Sequence, residues 1–373
     1  MRKLLIFFSV LALVSCSSSK QNLAEVPTLK YINTIEIPFN QEFKKTVVGG
    51  LSSIDFDAKN DLYYFICDDR SIYNDARFYT AKIQLAADSL QQIDFQTVFP
   101  LKNEAGQKYA NWDKYPDSSI DPEEMRYNPK TRSVVWSSEG ARVIAKDFAV
   151  IQNPSLQTAT IEGNYLNTYN LPSNLNMQKE ERGPRSNGVL EGITFNKNFT
   201  ELYTNIEEPL FEDDTQASTT KGGLIRIYKF DTKSRQNSAQ YAYRLDPIAH
   251  APNPKTSFAV NGISAIQYYG KNRLLVVERS YSTGKLACTI KVYLCDLSLA
   301  TDVTNVKSLQ TEDFKLAPKK LILNMDDLGI FTDNIEGITF GPKLANGKQS
   351  ILFVSDNNFS DKQKTQILLF EIE

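Results

Sequence analysis

The chain has 373 residues, 41% of them hydrophobic and 23% charged, with Lys+Arg 42 set against Asp+Glu 44. That composition excludes a disordered or fibrous protein, and the near-balance of charge argues against a basic nucleic-acid-binding face. A single histidine, His250, would have to carry any Ser-His-Asp triad, multi-histidine zinc site or histidine phosphatase alone, while 21 Phe and 18 Tyr lean towards β structure.

Met1-Arg2-Lys3 and the apolar run 4–14 form a basic start and a short hydrophobic core. That run is shorter than the ~20 residues a membrane span needs and reads as a secretory signal. It ends in Leu13-Val14-Ser15-Cys16, which resembles the bacterial lipobox, whose cysteine is lipidated. An ordinary signal peptide with a chance cysteine is the alternative. The expected organisation is a lipoprotein signal peptide over 1–15, a lipidated Cys16 with a Ser-rich tether over 16–30, and a folded domain over 31–373. Ser17 in place of an Asp after the cysteine is, by analogy with other bacterial lipoproteins, compatible with a periplasm-facing anchor in the outer membrane. Among the remaining cysteines, Cys288 and Cys295 bracket a strand-like run. Extension holds them about 23 Å apart, beyond the ~4.4–6.8 Å of a disulfide, so Cys67, Cys288 and Cys295 read as small buried residues.

From Gly50 onward one pattern recurs five times at intervals of about 70 residues. A short segment with an acid or small polar residue enters a first strand; a turn follows, and the second strand ends in a carboxylate. The copies run from Leu51-Ser52-Ser53-Ile54 to Cys67-Asp68-Asp69-Arg70, from Asp121-Pro122-Glu123-Glu124 to Ser138-Glu139-Gly140, and from Leu190-Glu191-Gly192-Ile193 to Ile206-Glu207-Glu208. The fourth joins Val260-Asn261-Gly262-Ile263 to Glu278-Arg279, and the fifth Ile335-Glu336-Gly337-Ile338 to Ser355-Asp356-Asn357. Turns such as Asn128-Pro129-Lys130 and Ala345-Asn346-Gly347 separate the paired strands. Such units at a long fixed period read as blades of an all-β propeller; an irregular β-sandwich is the bland alternative. The period exceeds the ~40–50 residues of a plain blade. Either the loops are long or a blade is hidden, and the expectation is six blades with five repeats visible. The polar stretches 102–119, 178–187 and 211–223 read as loops, and His250, before Ala251-Pro252, as a loop residue.

In a propeller, equivalent positions converge on one axis, so the recurring acids belong near one end of a central channel. Clustered carboxylates repel and resist burial unless cations occupy the ring or arginines interleave. Calcium prefers such oxygen ligands, and Arg70, Arg77, Arg126, Arg185 and Arg279 lie close in sequence. Each acid has two readings: a staple to the backbone of the next blade, or a ligand or catalyst.

The ordered set Gly49-Gly50-Leu51-Ser52, Asp68-Asp69-Arg70, Ala76-Arg77-Phe78-Tyr79, Asp121-Pro122-Glu123, Ser138-Glu139-Gly140, Asn187-Gly188-Val189-Leu190-Glu191-Gly192, Glu207-Glu208-Pro209-Leu210, Glu278-Arg279, Asn334-Ile335-Glu336-Gly337 and Ser355-Asp356-Asn357 resembles the phytase-like ("esterase-like activity of phytase") family of secreted bacterial proteins. The resemblance implies a propeller and, with it, metal-assisted hydrolysis of a small phosphorylated or other ester, needing neither histidine nor serine nucleophile. In that scheme Glu123, Glu139, Glu191 and Glu207 are the expected catalytic groups. Arg70, Arg77, Arg126 and Arg279 are the expected substrate clamps, and Asp68, Asp69, Glu208, Glu336 and Asp356 the expected calcium ligands. The competing expectation is a non-catalytic propeller that binds a ligand or protein at the cell envelope, its acids serving as staples. No nucleic-acid partner is expected, and membrane contact only through the lipid.

Overall fold

In every repeat the two predicted segments pair antiparallel, and two further strands complete a four-stranded sheet. A computed structural model describes residues 26–311 and 313–373; Cys16 and the rest of the expected leader lie outside the described residues. Blade 1 runs outward through Asp55–Asp57, Leu62–Cys67, Arg77–Ala86 and Ser89–Pro100, and blade 2 through Pro122–Asn128, Ser133–Ser138, Ser155–Thr160 and Tyr165–Thr168. Blade 3 comprises Leu190–Phe195, Glu201–Ile206, Leu224–Asp231 and Asn237–Arg244, and blade 4 Ala259–Gly270, Arg273–Ser282, Thr289–Asp296 and Lys319–Asn324. Blade 5 takes Asn334–Lys343, Gln349–Asp356 and Thr365–Ile372 from one end of the chain and its outermost strand, Leu29–Ile37, from the other.

The propeller therefore has five blades, and the expectation of six is corrected. The long period is taken up by loops. Stretches 102–119, 178–187 and 211–223 contain no strand, and the hairpin Ala141–Ile144 with Ala149–Gln152 is a two-stranded insertion within blade 2. The expected tether also ends earlier than position 30, because Leu29 and Lys30 already pair with Ile372 and Glu371 in the sealing strand.

Apolar side chains fill the seams between blades. Ile54, Phe65 and Tyr79 of blade 1 meet Leu352, Val354 and Leu369 of blade 5, and Ile66 and Phe78 meet Met125, Val134 and Trp136 of blade 2. Cys67, Cys288 and Cys295 are free and buried, as small apolar residues would be.

The first two strands of every blade lose register by one residue at a shared place, a β-bulge facing the axis. Its position is held by Ser52, Glu123, Glu191, Ser264 and Glu336 in the five blades. The next residue is glycine in blades 3 and 5, where the inner strands approach closely. A Cβ on Gly192 would lie 2.7 Å from the Ile266 amide nitrogen, and one on Gly337 2.8 Å from that of Ile54.

Below the bulges Arg126 closes the channel. Its buried guanidinium donates to the carbonyls of Ile193 (2.6 Å), Ile54 (2.9 Å) and Ile266 (3.2 Å), joining blades 3, 1 and 4 to its own. Glu124 and Asp55 lie 3.4 and 3.5 Å from it.

Candidate functional site

Above this floor the channel opens into a basin of about 800 Å³. Two tiers of side chains shape it. The bulge tier supplies Glu123, Glu191 and Glu336, whereas Ser52 and Ser264 donate to the carbonyls of Glu123 and Ile335 in the following blades. The second tier is the residue that follows each bulge-paired position on the second strand: Asp68, Glu139, Glu207, Arg279 and Asp356. In blade 4 that place belongs to Arg279. Its neighbour Glu278 turns away into a staple, accepting from Tyr243 Oη (2.7 Å), Asn261 Nδ2 and the Asp246 amide (2.9 Å each) and pairing with Lys319.

Arg279 interleaves the acids as expected. It pairs with Glu207, donates to Asn334 Oδ1 at 2.6 Å and lies 3.6 Å from Glu336, while its buried Nε has no partner. Arg70 binds Asp121 through both Nε and Nη2 and stacks over Trp112. Glu139 is at once staple and basin residue, since its Oε1 accepts the Val189 amide of blade 3 at 2.6 Å. Glu208 is held by Gln216 Nε2 at 2.8 Å to both oxygens. Asp356 is fully buried behind this lining; Oδ1 accepts the Asn358 amide, and Oδ2 has no partner.

Three expected site residues are committed elsewhere. Asp69 accepts the amides of Ile72, Tyr73 and Asn74, capping its own loop, and pairs with Arg77 at 2.7 Å. Arg77 spends its other nitrogens on Tyr79 Oη and the Val47 carbonyl. With Arg126 in the floor, the expected clamp by Arg77 and Arg126 and the expected ligation by Asp69 give way to structural bonding. Both arginines are almost wholly buried, so neither reaches the open basin.

The acids respond to this crowding in one direction. Burial first, then the neighbouring carboxylates Asp68, Glu191 and Asp121, hold Glu123 well above the ordinary range. Burial together with Glu139 and Glu207 does the same to Glu191, and burial with Asp121 and Asp356 to Asp68. Glu139 is pushed up to about 7 by burial and Asp121, against the Val189 hydrogen bond. Burial and Glu207 raise Glu208 to about 7, and burial with Asp356 raises Glu336 to about 8 despite Arg279. Asp68, Asp121 and Glu123 each bring one carboxylate oxygen within 4.8 Å of the others.

Asp121 and Asn334 are site residues beyond the expected set, and Arg185, expected among the interleaving arginines though not as a clamp, joins the lining. Asp121 precedes Pro122-Glu123 in its repeat, which is the available signal. Arg185 reaches the basin from the 178–187 loop, stacked 4.4 Å over Phe211, with burial lowering its pKa. His250 lies on an exposed loop 3.6 Å from Asp326.

A family model described as phytase-like, esterase-like activity of phytase, matches residues 46–359. No curated protein matches the chain. Among solved structures, an endo-arabinase from Bacteroides thetaiotaomicron is similar at 12% identity and TM-score 0.44, over 89% of this chain and 95% of the other. An exo-β-1,3-galactanase from Phanerochaete chrysosporium is similar at 10% identity and TM-score 0.45, over 91% and 64%. A gluconolactonase from Xanthomonas campestris is similar at 9% identity and TM-score 0.34, over 86% and 71%.

Proposed function

Because the chain belongs to the phytase-like family (esterase-like activity of phytase), we propose that the acidic basin hydrolyses phosphoric or related esters in a protein held at the bacterial cell envelope through a lipidated Cys16. The observation that carries this reading is the convergence of Asp68, Glu123, Glu139, Glu191, Glu207 and Glu336 on one basin with Arg70, Arg185 and Arg279 among them. A core built only for stability would fill those positions with apolar groups, because repelling buried carboxylates are costly.

The carboxylates divide the proton work. Glu139, with a pKa near 7, is suited to take a proton from water at neutral pH. Glu191 holds its proton more tightly and lies outside the cluster formed by Asp68, Asp121 and Glu123, so it is suited to protonate the departing alcohol. The water oxygen bonds to phosphorus or the acyl carbon as the bond to the alcohol oxygen breaks; the alcohol keeps the donated proton and the acid departs. Arg279, aimed by Glu207 and Asn334, and Arg70, aimed by Asp121, stabilise oxygen charge as it develops.

A hard divalent cation such as calcium fits the donor set, which is all oxygen. Asp68, Asp121 and Glu123 would hold it, with Glu336 and Asp356 as nearby charge. When bound it would supply neutralisation of the ester oxyanion and a more acidic water. The second reading, a binding propeller without turnover, is favoured by the interblade bonds of Glu139 and Glu207. The test is turnover by the soluble domain on phosphomonoester and aryl-ester panels, with calcium and with EDTA, for wild type and Glu123→Gln. Activity lost in EDTA and in the variant, at unchanged melting temperature, is expected. Activity that survives EDTA removes the cation, and no turnover on either panel favours binding.

A further inference from the structure

The basin wall has two characters. On the side of blades 1 to 3 it is mostly charged, with Phe211 as the one ring, whereas on the side of blade 4 Phe258, Val260, Tyr281 and Leu286 stand beside Arg279 and Lys285. Phe258 and Tyr281 pack ring against ring at 6.0 Å between centroids. Phe258 is nonetheless 66% exposed and Leu286 88% exposed, so neither residue is explained by the core. Large apolar side chains left open beside a polar cavity mark a place where apolar surface of a ligand is covered.

Charge points the same way. Along the lining carboxylates outnumber arginines and lysines by eight to five. Arg70 and Arg279 are already paired with Asp121 and Glu207, Lys285 with Asp326, and Arg185 donates to the Pro209 and Asp214 carbonyls, so the positive charge they can offer a ligand suits one anionic group rather than several. A polyanion needs many cations at once and is repelled by a negative field. A molecule with one acidic or ester head and an apolar body meets less repulsion and gains contact with the wall.

Resting on the hydrolytic reading above, we infer that the substrate is an amphipathic ester: a single phosphoric or carboxylic ester group at the acidic hub, and an aromatic or alkyl part lying on Phe258, Tyr281 and Leu286. Inositol polyphosphates and comparable polyanions are then poor ligands. Tyr281 packs against the core, but Phe258 and Leu286 are exposed, so these two can be shortened without disturbing it.

Non-hydrolysable probes separate recognition from turnover. Calorimetric titration of the soluble domain in calcium-containing buffer would compare benzylphosphonate, methylphosphonate and inositol hexakissulfate, for wild type and for Phe258→Ser combined with Leu286→Ser. Benzylphosphonate is expected to bind roughly tenfold or more tightly than methylphosphonate, about the effect of covering one ring face. The double variant is expected to lose that preference while keeping methylphosphonate affinity, and the hexakissulfate to bind no better than methylphosphonate. Equal affinity for the two phosphonates, tightest binding of the hexakissulfate, no binding of either phosphonate, or a preference surviving in the double variant would each overturn the inference. Selective binding without turnover of any ester would instead remove the hydrolytic reading and leave the ligand class standing. Turnover indifferent to the apolar part would do the reverse.

Discussion

The two ends of the hub are made by the same inner strands, yet they differ completely in chemistry. At one end the bulge tier and second-strand termini crowd carboxylates around a basin. At the other, beyond Arg126, a pocket of about 570 Å³ is lined by Phe56, Tyr127, Phe195, Tyr268, Tyr269 and Phe340. Rings there stabilise one another, as in the Tyr64–Tyr127 stack at 4.9 Å and the Phe195–Phe199 contact at 5.4 Å. The aromatic end holds the blades together, and the acidic end is tolerated because it does. Cohesion and chemistry are thus separated along one axis by a single arginine.

Removing that separator should have the largest effect. Arg126→Met leaves three inner-strand carbonyls short of a donor, and the buried Glu124 and half-buried Asp55 without their counter-charge. A loss of about 3–5 kcal/mol is expected in denaturant unfolding; an unchanged midpoint would mean that the two ends stand independently. Glu191→Gln acts in the opposite sense on the acidic end. Turnover should fall by roughly 100-fold or more, while thermal stability holds, because Gln matches the size and neutrality of the carboxyl that burial keeps protonated. A variant that is both inactive and destabilised would show that Glu191 is a staple.

The pH dependence of stability follows from the same end. Glu139 and Glu208 sit near 7, Asp356 near 6, and Glu336 and Glu124 near 8, all above their ordinary values because burial disfavours their charge. The folded protein therefore binds protons more tightly than the unfolded chain. The contribution of these groups is full below about pH 4.5 and is lost as pH rises through 6 to 8. Asp246 works oppositely: burial opposes its charge, but Lys319 and Tyr293 hold it down to about 2, so its contribution is present above its ordinary value and fades at more acidic pH. Melting scans without divalent ions should decline from pH 5 to pH 8, and calcium should restore stability at pH 8 far more than at pH 5. A flat profile would contradict the crowding. The smallest effect belongs to the aromatic end: Phe56→Leu, half-buried and 4.5 Å from the Tyr63 ring, should cost under about 1.5 kcal/mol and leave turnover untouched.

The repeat made the paired strands and the converging acids legible, since acids such as Glu191 and Glu336 stand before Gly-Ile at matching places. The blade number was not, because Leu29–Ile37 completes blade 5 from far away in sequence and carries no mark of the repeat. Arg279 and Glu278 are adjacent charges, and alternation alone does not say which faces the axis; the bulge at Ser264 sets that, pairing Ile263 with Glu278. Arg77 and Arg126 looked like substrate clamps because their type suits anions. Only the packing reveals that backbone carbonyls and buried acids had already claimed them.

Pairing of Leu29–Ile37 with Thr365–Ile372 has a consequence for biogenesis. During synthesis the first strand waits unpaired until the partner strand emerges, and the ring stays open with a bare edge on each side. Chaperones and proteases would meet an incomplete chain as a set of sticky sheets. The hub draws side chains from every blade, so a chain that ends before Thr365–Ile372 is expected to carry the acids without the closed ring that gathers them.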